Sequence, residues 1–262
     1  MKLGIGQPEV DLDGNILDIE VPEQMKKAIP TGHPHIDLLF EGTGMIAGTV
    51  TLVTGTPGAG KTTLMIQLAD RLTGIGHKAI VNTGEESLYQ VRRVTERLGI
   101  KNGFIPAYNR CAEDIIEHCE KIRAKHPEKH LFLIIDSLQC LGVRPTGERG
   151  RPPGKDKQQI MALEMLTEYA KNNWVQLLMI GHVNKKGEFS GKQTIKHIVD
   201  CHMHLSFDPE FEERCCEMQK NRFGVAGTFY NFDLTAKGLA FESARAAAAE
   251  GEDDDDDEDD DS

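Results

Sequence analysis

The sequence predicts an α/β fold: a mostly parallel central sheet flanked by helices, with an antiparallel C-terminal extension. Three observations predict it. From Ile29 to Phe241 short β-rich runs alternate with helical patterns. Two of those runs, LFLII at Leu131–Ile135 and VQLLMI at Val175–Ile180, are continuously apolar, as strands buried on both faces are; helices on both faces of the sheet supply that cover. After residue 199 the spacing tightens to CHMHLSF, ERCCEMQKNRF and GTFYNFDL with turn material between them, which reads as antiparallel strands added to the same sheet.

In chain order the patterns predict a strand over Thr49–Thr54, a helix over Thr62–Thr73, a strand over Lys78–Asn82 and a helix over Ser87–Leu98. There follow a helix over Ala112–Lys125, the LFLII strand, a helix over Lys157–Asn172 and the VQLLMI strand. Residues 1–28 are poorly patterned and read as a lead segment; residues 29–243 read as one domain. The hydrophobic share of 39% in 262 residues suffices for one sizeable core.

Charge is concentrated at one end. The three Glu and eight Asp of residues 250–262 supply eleven of the twelve net negative charges, so the body is close to neutral. A run of like charge without apolar residues has nothing to fold against, and residues 244–262 read as a disordered acidic tail. No apolar run approaches the length of a membrane span and Met1–Val10 lacks the pattern of a signal peptide, so a cytoplasmic protein is expected, without a membrane partner. The six cysteines, at 111, 119, 140, 201, 215 and 216, include no C-x-x-C pair, which suits free thiols in a reducing compartment.

The stretch GTPGAGKTT at residues 55–63 matches G-x-x-x-x-G-K-[ST] between a predicted strand and a predicted helix. Gly55, Gly58 and Gly60 let the backbone of Gly55, Thr56, Pro57, Gly58, Ala59 and Gly60 curl so that N–H groups point at a phosphate. Lys61 adds charge, Thr62 offers a hydroxyl to Mg²⁺, and Thr63 continues the helix whose positive end favours an anion. ATP and Mg²⁺ are the expected cofactors. Asp136 closes the LFLIID run at the carboxyl end of a buried strand, where ligands bind in open α/β sheets and where it can hold Mg²⁺ through water. The strand ending VNTGEES places Glu85 and Glu86 beyond its tip, with Glu85 as the candidate base and Glu86 as the helix start, a position that the helix dipole alone also favours. His182 and Asn184 in GHVNKKG emerge on the same edge as Asp136, where His182 can touch a γ-phosphate or serve only as a local hydrogen-bonding residue. In KNRFG, residues 220–224, Lys220 and Arg222 would point to one face of a strand. Asp200, His202 and His204 in DCHMH have a spacing a metal could use, although alternation with Cys201, Met203 and Leu205 is explained by a half-buried strand.

These pieces in this order resemble the RadA/Sms-type ATPase core of the RecA/DnaB superfamily over roughly residues 29 to 240. The segments that carry the resemblance are IPTGHPHIDLLFEGTGMIAGTVTLVTGTPGAGKTT, VNTGEESLYQVRRVTERLGI, LIIDSLQ, LMIGHVNKKGEFSGKQTIKHIVD and, most specifically, KNRFG. It implies a RecA-like P-loop NTPase fold and a six-membered ring motor on single-stranded DNA, with Glu85 as catalytic glutamate and His182 as γ-phosphate sensor. It also implies that Lys220 and Arg222 reach the nucleotide of the neighbouring subunit. RadA proteins usually begin with a four-cysteine zinc element and end with a domain resembling the Lon protease fold; neither is in these 262 residues. A recombination mediator or annealing protein that uses ATP to assemble on DNA, and a signalling ATPase of the KaiC kind, are the alternatives.

Two loops are candidates for the DNA. Arg144–Lys157 carries Arg144, Arg149, Arg151, Lys155 and Lys157 against two carboxylates, and Asn184–Lys196 carries Lys185, Lys186, Lys192 and Lys196 against one. Both match the pore loops of RecA-like rings, and Phe189 is the one aromatic available for stacking, so contacts are expected to be mostly with backbone phosphates. The acidic tail is expected either to compete with DNA for these loops, to attract a basic protein partner, or simply to solubilise the chain.

Overall fold

The computed structural model describes residues 13–144, 155–182, 193–210 and 213–241, without the side chains at positions 155, 156, 193, 194 and 241. The expected acidic tail and the first twelve residues of the lead segment lie outside this range.

Among the described residues one nine-stranded sheet runs in the order β3-β2-β4-β5-β1-β6-β7-β8-β9. Its strands are β1 (Val50–Gly55), β2 (Lys78–Thr83), β3 (Ile105–Ala107), β4 (Leu131–Asp136), β5 (Gln176–Ile180), β6 (Cys201–Asp208), β7 (Glu213–Asn221), β8 (Phe229–Thr235) and β9 (Gly238–Phe241). The first six are parallel and the last three antiparallel. β1 and β5 are buried along their whole length and β4 up to Asp136, as their unbroken apolar runs require.

Two elements depart from the sequence expectation. CHMHLSF was expected to open the antiparallel extension, but β6 lies parallel to β1, with Thr51 opposite Cys201 and Gly55 opposite Leu205. The reason is that the chain crosses back from the end of β5 through α7 (Gln193–Ile198) before β6 starts, which makes a parallel connection; the antiparallel part begins one strand later. β3 is not readable as a strand because it is three residues long and contains Pro106, which only an edge position accommodates.

Two short helices, α1 (Glu23–Lys26) and α2 (Pro34–Leu39), precede β1; one face of the sheet is covered by α3 (Lys61–Gly74) and α4 (Leu88–Leu98), the other by α5 (Ala112–Lys125) and α6 (Lys155–Asn173). Leu64, Met65, Leu68 and Leu72 of α3 are buried against Val53 and Ile134. Each such side chain contributes about 1.5–3 kcal/mol, so the N-terminus of α3 is fixed on the sheet at the tip of β1. α4 starts with a capping box in which Ser87 and Gln90 satisfy each other's backbone N–H groups, and ends at Gly99 with φ 66°. That cap leaves Glu85 and Glu86 in the short turn between β2 and α4, at the same sheet edge as the α3 N-terminus.

Candidate nucleotide site

A cleft of about 380 Å³ opens at the carboxyl ends of β1, β2, β4 and β5, within the roughly 300–1,000 Å³ usual for small-molecule sites. Gly55, Pro57, Gly58, Gly60, Lys61, Thr62, Thr63, Glu85, Asp136 and His182, all named from the sequence, line this one cleft. Thr56 and Ala59 complete the loop between β1 and α3, Ala59 fully buried. Two backbone positions force glycine: Gly60 has φ 97°, and a Cβ on Gly55 would stand 2.2 Å from the Leu205 carbonyl oxygen of β6.

Lys61 is buried and folds back, its Nζ donating to the carbonyls of Gly55 and Thr56 at 2.9 Å each. Burial lowers its pKa, opposed by the charges of Asp136 and Glu85. Thr62 Oγ1 donates to Asp136 Oδ2 at 2.6 Å. Burial raises the pKa of Asp136, against the Thr62 hydrogen bond. A hydroxyl and a carboxylate touching at the mouth of an anion cradle are the hard oxygen donors that Mg²⁺ takes alongside phosphate, so the residues present fit a Mg²⁺ held by Thr62 and Asp136 with ATP on the loop.

Glu85 is a junction. Its Oε1 accepts from Ser137 Oγ at 2.5 Å, lies 2.8 Å from His182 Nε2, and is approached by Cys140 Sγ at 3.7 Å. Burial works to raise its pKa, but the hydrogen bonds from Ser137 and His182 outweigh it and hold the carboxyl below its ordinary value. Adjacent Glu86 is pushed the other way, by burial first and then by Asp136 and Glu85. Glu86, expected only as a helix start, lines the cleft just ahead of the Ser87 cap; Ser137 and Leu234 of β8, the latter also lining the cleft, were not singled out from the sequence. Ser137 was legible as the residue after Asp136; Leu234 was not, since it comes from an antiparallel strand far along the chain.

Lys220 and Arg222 are elsewhere. β7 ends at Asn221, so the strand expected through both cations is corrected: Lys220 is on the strand and Arg222 in the bend after it. Lys220 Nζ donates to the carbonyls of Lys196 (2.8 Å) and Val199 (2.7 Å), closing the end of α7. Arg222 Nη1 donates to Asp200 Oδ1 at 2.8 Å, and its backbone N–H to the Asp200 carbonyl at 3.1 Å. Asp200 Oδ2 accepts from the N–H of Val50, the first residue of β1. Both cations therefore sit at the end of the sheet opposite their own phosphate loop, separated from Gly55 by the length of β1, about 16 Å at ~3.3 Å per residue. Asp200 is thus engaged by protein donors, while His202 Nε2 and His204 Nδ1 both meet Thr54 Oγ1, at 2.7 and 2.8 Å. The metal reading of DCHMH has no support: no metal-holding cluster occurs among the described residues.

Of the candidate DNA residues, Arg149, Arg151, Lys185, Lys186, Phe189 and Lys192 lie outside the described residues, as does the side chain of Lys155, the first residue of α6. Arg144 is described and is not freely presented: its guanidinium pairs with Asp114 and Glu117 (2.9 Å), and its N–H meets both oxygens of Glu113 at 3.1 Å. Acids in the first turns of α5 hold it, a contact that a count of loop charges misses.

A family model described as "ATPase: KaiC" matches residues 29–244. The chain belongs to the KaiC family of ATPases. Its fold is the RecA-like one, and it is similar to the RadA/Sms-type ATPase core. DNA repair protein RadA of Mycobacterium tuberculosis is 33% identical over 210 residues, 80% of this chain and 42% of that protein. RadA of Escherichia coli K12 is 33% identical over 209 residues, 80% of this chain and 43% of the relative. RadA of Rickettsia bellii is 32% identical over 241 residues, 91% of this chain and 50% of the relative. The chain thus spans half or less of the length of these curated relatives. The crystal structure of a KaiC-like protein from Pyrococcus horikoshii OT3 superposes with a TM-score of 0.65 at 20% identity, covering 83% of this chain and 99% of that one, which speaks for the fold. Among the described residues no helix is long and apolar enough to cross a membrane.

Proposed function

We propose that this chain is a Mg²⁺-dependent ATPase stimulated by single-stranded DNA, working as a six-membered ring in DNA repair or recombination. The observation that carries this reading is the position of Arg222. The cleft holds a phosphate loop, the hydrogen-bonded Thr62–Asp136 pair and a glutamate held by Ser137 and His182, and Lys61 is the one Lys or Arg among the described residues lining it. A second cation over the transferred phosphoryl group commonly accelerates such hydrolysis by ~10³–10⁵. Arg222 is about half exposed and is held at Asp200, beside the first residue of β1 and at the other end of that strand from its own loop, so on this reading it serves a nucleotide bound by another subunit. Thr62 and Asp136 would hold the Mg²⁺, Lys61 and the loop N–H groups the phosphates, and Glu85 would orient and deprotonate the attacking water, with His182 linking that carboxylate to the γ-phosphate. The names of the RadA relatives favour DNA as the partner over a signalling role, although the family model itself is named for KaiC.

The test is ATP hydrolysis with and without single-stranded DNA for the full chain and for Arg222→Ala. The expected result is DNA-stimulated turnover that falls by ~10³-fold or more in the variant while a fluorescent ATP analogue binds both proteins alike. Loss of analogue binding would place Arg222 in its own subunit's site or in the fold, and indifference to DNA would remove the DNA reading.

A further inference from the structure

Arg222 and Lys220 converge on the last turn of α7 and the two residues after it, Lys196 to Asp200, whose own anchor is a carboxylate that is 1% exposed. Both Asp200 oxygens are in use: Oδ2 takes the Val50 N–H, and Oδ1 takes Lys171 Nζ at 2.9 Å and Arg222 Nη1 at 2.8 Å. Because β1 carries the phosphate loop and is paired on both sides, by β5 and β6, the carboxylate is tied directly to the strand that presents that loop. By contrast, Arg222 is 48% exposed, and the contact with Asp200 occupies one nitrogen of a fork that has several donors.

We propose that Asp200 is the positioning residue for Arg222: it fixes the guanidinium by one nitrogen so that the remaining N–H groups meet the triphosphate of the next subunit. This rests on the reading of Arg222 given above. Charge supports it. An isolated Asp–Arg pair is neutral and offers a phosphate little, but Lys171 shares the same oxygen, so the trio of Asp200, Lys171 and Arg222 keeps a net positive charge, with Lys220 beside it. The far side of the bend is held as well. Glu41 Oε1 accepts from the N–H of Val225 at 3.0 Å, and a Cβ on Gly224 would stand 2.5 Å from that same oxygen. The segment bearing Arg222 is therefore clamped before and after the cation, which is what presenting one side chain at a fixed place across a subunit boundary requires.

The experiment measures kcat and KM for ATP in Asp200→Asn, Asp200→Glu, Arg222→Ala and the double variant Asp200→Asn/Arg222→Ala. Asn keeps the shape and loses the charge; Glu keeps the charge and its hold on Lys171 but moves it by one methylene. Either change is expected to lower kcat on the order of 10²-fold at unchanged KM, the size of a misplacement of about 1 Å, and the double variant is expected to be no slower than Arg222→Ala alone. Mixing Asp200→Asn with Lys61→Ala subunits should restore turnover, because the intact loop of one is then served by the intact cation of the other. Losses that multiply in the double variant, or no rescue on mixing, would make Asp200 merely structural and overturn the proposal. If Asp200→Asn does not fold, Asp200→Glu decides: lowered kcat at an unaltered melting temperature supports the proposal, and wild-type kcat overturns it. A wild-type rate for Arg222→Ala would instead overturn the underlying reading of that residue.

Discussion

Glu85 and Glu86 are neighbours in the chain, yet their surroundings drive their carboxyl groups apart. Glu85 gains the Ser137 hydroxyl and His182 and stays ionised below its ordinary pKa, whereas Glu86 gains only burial and the repulsion of Asp136 and Glu85. Divergence of this kind marks a division of labour between carboxylates. Because the folded pKa of Glu85 is depressed, its charge persists as pH falls through the ordinary carboxylate range and is lost only at the lowered value. Removing a donor reverses part of that shift, so Ser137→Ala should move the acid limb of the kcat–pH profile to higher pH. Glu85→Gln should lower kcat by ~10²–10⁴ at all pH values, as loss of a general base does. An unmoved acid limb in Ser137→Ala would mean that Ser137 does not tune the base. Most of this site was legible in the sequence because each group follows its strand within a few residues: Gly55–Thr63 after β1, Glu85 after β2, Asp136 and Ser137 at β4, His182 after β5. Asp200 was legible only as part of a weak metal pattern, since its meaning comes from Val50, 150 residues away, and from Lys171 and Arg222, all of which the fold brings together.

At the level of elements, the turn from β2 into α4 carries Glu85, the proposed base, on a short, well-tied connection. Thr83 Oγ1 donates to the Glu86 carbonyl at 2.9 Å and accepts from its N–H at 3.2 Å, and Ser87 then caps α4. Ser87→Ala should cost about 1 kcal/mol, read as a lower urea midpoint with an unchanged slope, and should leave KM for ATP nearly untouched because the phosphate loop belongs to β1 and α3. A large rise in KM would mean that the cap also supports nucleotide binding. The helices and central strands were readable from periodicity, whereas the direction of β6 was not. CHMHLSF has the same alternation whether it pairs parallel or antiparallel, and only the crossover through α7 decides between them. The same limit applies to KNRFG: the run reads as extended, but the turn at Asp200 captures Arg222 one residue past the end of β7.

For the molecule as a whole, the two halves of the proposed chemistry stand at opposite ends of one sheet. The carboxyl ends of β1, β2, β4 and β5 carry the loop, the Thr62–Asp136 pair and Glu85; the amino ends of β1 and β6 carry Asp200 and the cations. A rigid sheet cannot bring its own two ends together, so on the proposed reading of Arg222 each chain holds two incomplete halves of a site that copies complete by meeting head to tail. Such a contact is heterologous and closes into a ring when the rotation between copies allows it. If the site is shared in this way, turnover per chain depends on protein concentration. On dilution from micromolar to low nanomolar protein, specific activity should fall steeply while binding of the ATP analogue per chain stays constant, since the phosphate loop is complete within one subunit. Single-stranded DNA that bridges several subunits should shift the fall to lower concentration. Light scattering on the same samples should show particle mass dropping with activity, and full activity in a particle with the 29.1 kDa mass of one chain would eliminate the shared site.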